Sequence, residues 1–314
     1  MSATLIDGRQ VAARLAGELR EEVADWIAAG HRRPALRVVL VGTDPASEVY
    51  VSAKERACEA VGIGFETLRL PPDIAPTRLK QVVEALNADD GVDGILVQLP
   101  LPAHIPLREV TGAVAPEKDV DGFHPLNAGR LIGGESGFRP CTPAAVMRLL
   151  KAYGVRTEGR HAVIVGASSI VGRPVSILLG DEADGGRATV TVCHRFTREL
   201  GRYTRSAEIL VVAAGRPDLV DAKMVMEGAV VIDVGMNRVA DPTARKGYTL
   251  RGDCCFESVR EKAGLLTPVP GGVGPMTVAM LMRNTLLAAQ SRMAAASGVG
   301  ETHLGPAWVG VPTG

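Results

Sequence analysis

Ala162-Val-Ile-Val-Gly-Ala-Ser-Ser-Ile-Val-Gly-Arg-Pro174 joins an apolar strand to a glycine-led helix start. An apolar run of this kind reads as a strand buried on both faces. A glycine at its end lets backbone N–H groups approach a pyrophosphate at the following helix N-terminus. The pattern is not a strict G-x-G-x-x-G: Ser168 takes the place of the second glycine, and Gly172 comes one residue late. Taken alone, it is equally open to reading as a plain glycine-rich turn. It does not stand alone. Further strands are expected over 188–193, 208–214 and 229–235, with helices or turns between them. Apolar strands separated by helices predict a parallel sheet covered on both faces.

The upstream half repeats the alternation. Val11, Leu15, Leu19, Val23 and Ile27 recur every four residues, which marks one face of a helix. Residues 36–42 form a short apolar strand ended by glycine, and Asp44-Pro45 then supplies an N-cap and an N1 proline for a helix over 45–61. Residues 65–70 and 94–100 read as strands and 77–88 as a helix; a glycine- and proline-rich connection covers about 112–140. Thr142-Pro143 repeats the cap signal and opens a helix through Lys151. The fold class is therefore α/β with two domains. Residues 1–140 form an N-terminal α/β domain and 141–275 a doubly wound, Rossmann-like domain. The C-terminal helix over 276–296 returns to the first domain, and the Gly- and Pro-rich tail 297–314 is expected to fray.

Composition narrows the class. Apolar residues make up 46% and charged residues 22% of the chain, which excludes a disordered protein. Lys plus Arg and Asp plus Glu balance at 35 each, so no global field favours nucleic acid or a membrane surface. Aromatics at 4% are too few for a single-strand stacking platform. Cys58, Cys141, Cys193, Cys254 and Cys255 are odd in number and include no C-x-x-C, which suits free thiols in a reducing compartment and no metal. The N-terminus lacks the charge and apolar pattern of a signal peptide. Arg283, Asn284, Gln290 and Arg292 make the last helix too polar to span a bilayer. A soluble, cytoplasmic protein without nucleic-acid or membrane partners is expected.

Several residues invite chemistry. His194 and Arg195 follow the second strand of the later series, where an NAD site usually carries an acid. Basic groups there favour a 2′-phosphate, and so NADP; a solvated surface pair is the alternative. Ser47, Tyr50 and Lys54 share one helical face, as a stacking and proton-transfer set or as ordinary surface residues. Gln98 interrupts an apolar strand, so its amide either bonds the core backbone or faces a cleft at the strand end. Asp119 and Asp121 flank a turn at Gly122, and each reads equally as a turn cap. Pro268-Val-Pro-Gly-Gly-Val-Gly-Pro-Met-Thr277 is a rigid, side-chain-poor loop opening onto a helix, suited to a flat or anionic ligand or to docking that helix.

Six stretches, in this order, resemble the bifunctional methylenetetrahydrofolate dehydrogenase/methenyltetrahydrofolate cyclohydrolase family. They are Tyr50-Val-Ser-Ala-Lys54, Asp93-Gly-Ile-Leu-Val-Gln-Leu-Pro-Leu-Pro102, Lys118-Asp-Val-Asp-Gly-Phe-His-Pro125, Arg139-Pro-Cys-Thr-Pro143, the Gly166–Pro174 turn and the Pro268–Thr277 loop. The resemblance spans about residues 3–290. It implies oxidation of 5,10-methylenetetrahydrofolate by NADP, then hydrolysis to 10-formyltetrahydrofolate in one shared cleft, within one-carbon metabolism and purine biosynthesis, by a homodimer. On that resemblance Lys54 is the key hydrolytic residue, Tyr50 stacks on the folate, Gln98 orients Lys54, and Asp121 bonds the pterin. The implied substrate set is Ser47, Tyr50, Leu99, Pro100, Asp121, Pro270, Gly271 and Gly272. The implied cofactor set is Cys141, Gly166, Ala167, Ser168, Val171, Arg173, Thr191, His194, Arg195, Ala213, Ile232, Gly274 and Thr277. A dehydrogenase-only member using NAD is disfavoured by Lys54, Gln98 and the His194-Arg195 pair, and a non-catalytic nucleotide-binding regulator by Lys54 and Asp121. Three departures stand out: the long acidic link 180–187, Arg195 where many members have serine, and Asp253-Cys-Cys-Phe256, which has no functional reading.

Overall fold

The computed structural model describes residues 2–182, 184–244 and 247–296. In chain order these form β1 (Thr4–Leu5), α1 (Gly8–Ala28), β2 (Ala35–Val41), α2 (Pro45–Val61), β3 (Gly64–Leu70), α3 (Pro76–Ala88), β4 (Gly94–Val97), α4 (Leu107–Thr111), α5 (Pro125–Ile132) and α6 (Cys141–Ala152). There follow β5 (His161–Val165), α7 (Gly172–Gly180), β6 (Thr189–Cys193), α8 (Leu200–Thr204), β7 (Ile209–Val212), β8 (Val230–Asp233), β9 (Asn237–Ala240), β10 (Tyr248–Arg251), α9 (Phe256–Arg260), β11 (Leu265–Leu266) and α10 (Val273–Ala296).

One compact unit takes in the N-terminal residues up to Ala12 and Thr142–Thr277. Among the described residues its sheet has the order β1-β11-β8-β7-β5-β6, parallel throughout. β7 and β8 bury every residue, which explains their unbroken apolar runs. Val163, Val165, Leu210, Val212, Val231 and Leu266 form one side of this core. From β5 the chain passes through α7 to β6 on one side, then returns past β5 to β7 and β8 on the other. This reversal makes a switch point at the carboxyl ends of β5 and β7, the place where open α/β sheets receive ligands.

Two glycines at that point are sterically required. Gly166 has φ of 123°, and a Cβ there would lie 2.1 Å from the Ala213 carbonyl oxygen. A Cβ on Gly172 would lie 2.0 Å from the Gly166 carbonyl oxygen. The β9–β10 hairpin, antiparallel with Asn237 opposite Arg251, was not legible in the sequence; it returns residues 252–254 to the end of β8. β1 also differs from expectation: it pairs with β11 in this sheet, although residues 1–140 read as one domain. A two-residue strand carries no periodicity to read.

The second unit comprises Ala13–Cys141 and, among the described residues, the part of α10 from Val278 to Ala296. Its parallel sheet has the order β3-β2-β4 among the described residues, with Val38 opposite both Thr67 and Leu96. Leu79, Val83 and Leu86 of α3 pack with Val39, Val41, Ile95 and Val97. α2 starts as its sequence dictates: Asp44 accepts from Ser47 N, Pro45 stands in the first turn, and Gly62 closes the helix at φ 84°. On α1 the apolar face holds through Val23, but Ile27 is 43% exposed, so burial ends before the last turn. α10 returns to this unit, as expected. Arg283 pairs with Glu22 on α1, the Cys58 thiol of α2 meets Met282 Sδ, and Arg292 donates to the Val92 carbonyl. The 112–140 connection holds a helix the sequence did not suggest: α5 begins at Pro125, with His124 Nδ1 accepting from Leu126 N. The expected fraying of 297–314 lies outside the described residues.

Gly172→Ala should destabilise the protein by about 1–3 kcal/mol, because the new methyl meets backbone and not a side chain that can swing away. Urea unfolding measures this as a lower midpoint.

Candidate active site

The first cluster lies in the three-stranded unit. α2 carries Ser47, Tyr50 and Lys54 along one face, as the spacing predicted. Their fates differ. Ser47 is 2% exposed, and its hydroxyl donates to Asp44 Oδ2 at 2.8 Å, so it completes the helix cap. Tyr50 is 40% exposed and presents its ring at the surface of this unit. Lys54 Nζ donates to Gln98 Oε1 at 2.6 Å. Gln98 is buried just past β4; its backbone N–H donates to the Val39 carbonyl and its Nε2 to the Leu99 carbonyl at 2.7 Å. The amide thus cannot rotate without losing a bond, and its oxygen is committed to Lys54. Leu99-Pro100, which follows, is a cis peptide.

The Lys118-Asp-Val-Asp stretch divides its labour residue by residue. Lys118 is buried, and its ammonium donates to the carbonyls of Leu86, Asn87 and Asp89 at the end of α3. Asp119 is buried and accepts from Phe123 N (3.1 Å), His124 N (2.8 Å) and Asn127 Nδ2 (2.8 Å). Val120 is core. Asp121 is the member of the stretch placed with Lys54. Between them and α5, Gly122 has φ of 74°, and a Cβ there would meet Pro140 N at 2.7 Å. A side chain at 122 would displace the turn that carries Asp121.

Burial sets the electrostatics. It lowers the Lys54 pKa, against the opposing charge of Asp121. It raises the pKa of Asp121, against the charge of Lys54 and a hydrogen bond from the Cys141 thiol. Asp119 is pushed up to about 7 by burial, which outweighs the donors from Asn127, His124 and Phe123. Cys141 is raised well above its usual value by burial and the Asp121 charge, so its thiol stays protonated.

Two residues changed meaning here. The Cys141 thiol is buried in this unit and bonded to the Val120 carbonyl at 3.3 Å, so a cofactor contact there would be through its backbone. Asn284 was read merely as a polar break in the last helix. Its Nδ2 donates to the carbonyls of Val120 (2.8 Å) and Arg139 (3.2 Å) and lies 3.6 Å from Cys141 Sγ, so α10 clamps the segment before Asp121. A lone amide in an apolar helix was the available signal.

The second cluster lies in the six-stranded unit, at the β5/β7 switch point. Ser168 Oγ accepts from Val171 N (3.1 Å) and Gly172 N (3.3 Å), which closes the turn ahead of α7, whose own N-cap Val171 offers no side-chain acceptor. Ala167 and Val171 are half-buried and Arg173 is exposed beside this turn. Thr191 on β6 bonds His161 Nε2, so its hydroxyl is already engaged. His194 and Arg195 are exposed at the end of β6, with the Arg195 guanidinium 4.7 Å from the Phe196 ring centre. Ile232 is fully buried inside β8, so any ligand contact there is through backbone alone. Pro270, Gly271, Gly272, Gly274 and Thr277 also belong to this unit. Gly272 N donates to the Pro268 carbonyl, and Thr277 Oγ1 donates to the Val273 carbonyl at 3.2 Å and lies 3.3 Å from Thr142 Oγ1, which can donate to it in turn. The residues fit a dinucleotide: a tight backbone turn that only glycine permits at Gly166 and Gly172, the start of α7 behind it, and two exposed basic side chains. Among the described residues no group of His, Cys, Asp and Glu is arranged to hold a metal, and no helix is long and apolar enough to cross a membrane.

Known proteins share this organisation. Residues 140–293 match the NAD(P)-binding domain of tetrahydrofolate dehydrogenase/cyclohydrolase, and residues 6–121 match the catalytic domain of the same family. The bifunctional protein FolD 1 of Haloarcula marismortui is 51% identical over 284 residues, covering 90% of this chain and 95% of that protein. Among solved structures, the bifunctional FolD dehydrogenase/cyclohydrolase of Campylobacter jejuni aligns with a TM-score of 0.86 at 47% identity, covering 93% of this chain and 100% of that one. The Trypanosoma brucei dehydrogenase-cyclohydrolase, solved with NADP cofactor and an inhibitor, aligns with a TM-score of 0.89 at 40% identity, covering 93% and 99%.

The raised pKa of Asp119 gives a stability signature. Its contribution is fully present below the unfolded carboxyl value of 3.8 and is lost as pH rises through about 7. Asp119→Asn should therefore remove a decline in stability between those values, worth at most about 4 kcal/mol. Denaturant midpoints of both proteins across this range provide the measurement.

Proposed function

The chain belongs to the tetrahydrofolate dehydrogenase/cyclohydrolase family, and from that premise we propose that Lys54 handles the protons of its hydrolytic step while Gln98 and Asp121 set the state of the amine. The enzyme is bifunctional. It oxidises 5,10-methylenetetrahydrofolate to 5,10-methenyltetrahydrofolate with NADP and hydrolyses that product to 10-formyltetrahydrofolate.

The observation carrying the proposal is the 2.6 Å bond from Lys54 Nζ to Gln98 Oε1, made by an amine whose pKa burial lowers. A general base works best when its pKa lies near the working pH. In hydrolysis, water adds to the electron-poor methenyl carbon and loses a proton. The bond from that carbon to N5 then breaks, and N5 receives a proton. A neutral Lys54 accepts the first proton, and the resulting ammonium returns one to the leaving nitrogen; as the bond to N5 breaks, the added O–H becomes the formyl C=O and its remaining proton passes to solvent. Gln98 Oε1 accepts one N–H of the amine and so fixes where its lone pair points. We assign pterin bonding to Asp121 and ring stacking to Tyr50.

The oxidation asks less of side chains. The carbon that loses hydride lies between two nitrogens whose lone pairs stabilise the cation, so positioning dominates. NADP, when bound, supplies the hydride acceptor. We assign its pyrophosphate to the Gly166–Gly172 turn and its 2′-phosphate to His194 and Arg195. Residues 1–140 with the returning helix remain our folate-binding region and 141–275 our NADP-binding region, except that β1 joins the latter sheet. Homodimeric assembly and a cytoplasmic location belong to the same proposal, supported by family membership.

Lys54→Met should lower cyclohydrolase turnover by about 10²-fold or more, read as slower decay of added 5,10-methenyltetrahydrofolate. Full turnover in this variant would remove Lys54 from the mechanism. Arg195→Ala should raise KM for NADP about tenfold while leaving KM for NAD nearly unchanged, since only NADP carries the 2′-phosphate. Initial rates with each cofactor decide it.

A further inference from the structure

Asp253 opens the Asp-Cys-Cys-Phe stretch, which the sequence left without a function. Its side chain is fully buried. Oδ2 accepts from Ala214 N (2.6 Å) and Gly215 N (2.9 Å), and Oδ1 from Arg216 N (2.9 Å) and Asn237 Nδ2 (2.8 Å). Successive backbone N–H groups converging on one anion form a nest, the arrangement by which loops bind phosphate. Here the protein's own carboxylate fills it.

A second buried carboxylate holds the first. Asp233, at the end of β8, accepts from Gly235 N and Asp253 N on Oδ1 and from Cys254 N on Oδ2. The space for both carboxylates depends on glycine. A Cβ on Gly252 would lie 1.9 Å from Asp233 Oδ2, and one on Gly235 would lie 2.3 Å from Asp253 Cγ. The loop after β7, the turn after β8 and the segment after β10 are thus tied together at the carboxyl edge of the sheet. The tied loop adjoins the nucleotide turn: Ala213 N donates to the Val165 carbonyl at 2.7 Å, and the Ala213 carbonyl fills the space beside Gly166.

We infer that Asp253 is a positioning residue for the cofactor: it holds backbone 214–216 as the fixed wall beside the Gly166 turn, and Asp233 locks it there. The inference rests on the assignment of NADP to the β5/β7 switch point. It also separates two rival N–H clusters. The 214–216 nest is neutralised internally, so the pyrophosphate is read by the Gly166–Gly172 turn.

The test uses the full-length enzyme with Asp253→Asn and Asn237→Ala. Asparagine offers one oxygen and turns an N–H₂ toward donors, so the nest loses its anion. Expected is a rise in NADP Kd and KM of about tenfold for Asp253→Asn and about threefold for Asn237→Ala, on the scale of one hydrogen bond to a charged group. Hydrolysis of 5,10-methenyltetrahydrofolate, assayed without NADP, should stay within about twofold of wild type in both, because Asp253 and Asn237 belong to the six-stranded unit and share no hydrogen-bond partner with Lys54, Gln98 or Asp121 of the other. A parallel fall in both activities, or an unchanged NADP Kd in folded Asp253→Asn, overturns the inference. If Asp253→Asn does not fold, Asn237→Ala decides alone, and an unchanged KM for NADP overturns it. Arg195→Ala and Gly166→Ala variants that bind NADP as tightly as the wild-type protein would instead overturn the site assignment itself.

Discussion

Taking an ammonium group out of water is unfavourable unless it is paired or gives up its proton. The three-stranded unit is arranged around that constraint at Lys54. The amine has a neutral acceptor in Gln98 and a carboxylate nearby in Asp121, and burial weakens its hold on the proton. A full ion pair would keep the charge; a purely apolar site would abolish it. An amide acceptor with a carboxylate whose pKa burial raises lies between, which suits a group that must both take and return a proton.

Holding that balance takes residues that do no chemistry. Lys118 closes the end of α3 with three carbonyl bonds, and Asp119 closes the turn ahead of α5. Asn284 reaches from α10 to clamp the Val120 carbonyl. These bonds remove the freedom of the short segment that ends in Asp121. The same economy appears at the nucleotide edge, where Asp233 and Asp253 satisfy the backbone of three separate loops with two carboxylates. In both units, buried charge is used to order backbone that has no strand or helix partner.

Much of the fold was legible because its elements announce themselves locally. Asp44-Pro45 predicted a helix over 45–61, and α2 spans Pro45–Val61. Apolar runs followed within a few residues by glycine marked β2, β5, β7 and β8. What went unread was short or paired at a distance: β1 and β11 have two residues each, and the β9–β10 hairpin lacks strong apolar alternation. Of the candidate site, Gln98 is legible as a polar residue breaking an apolar strand, and Lys54 by its helical spacing from Ser47 and Tyr50. Cys141 and Ile232 were placed by resemblance, and the structure buries both side chains.

Sequence alone determined the class, the order of most elements, and the residues able to carry charge or protons, since caps, periodicity and polar interruptions are local properties of the chain. Tertiary structure decided which of those residues share a site. Asp119 and Asp121 stand in the same stretch with the same chemistry, yet one is enclosed by donors from its own loop and the other is set against Lys54. Asp253 has no functional reading in the sequence; β8 and the β9–β10 hairpin bring it beneath the loop after β7, and its role follows from that placement. Burial and the direction of a side chain depend on which elements pack together, and that packing is a property of contacts between residues far apart in the chain.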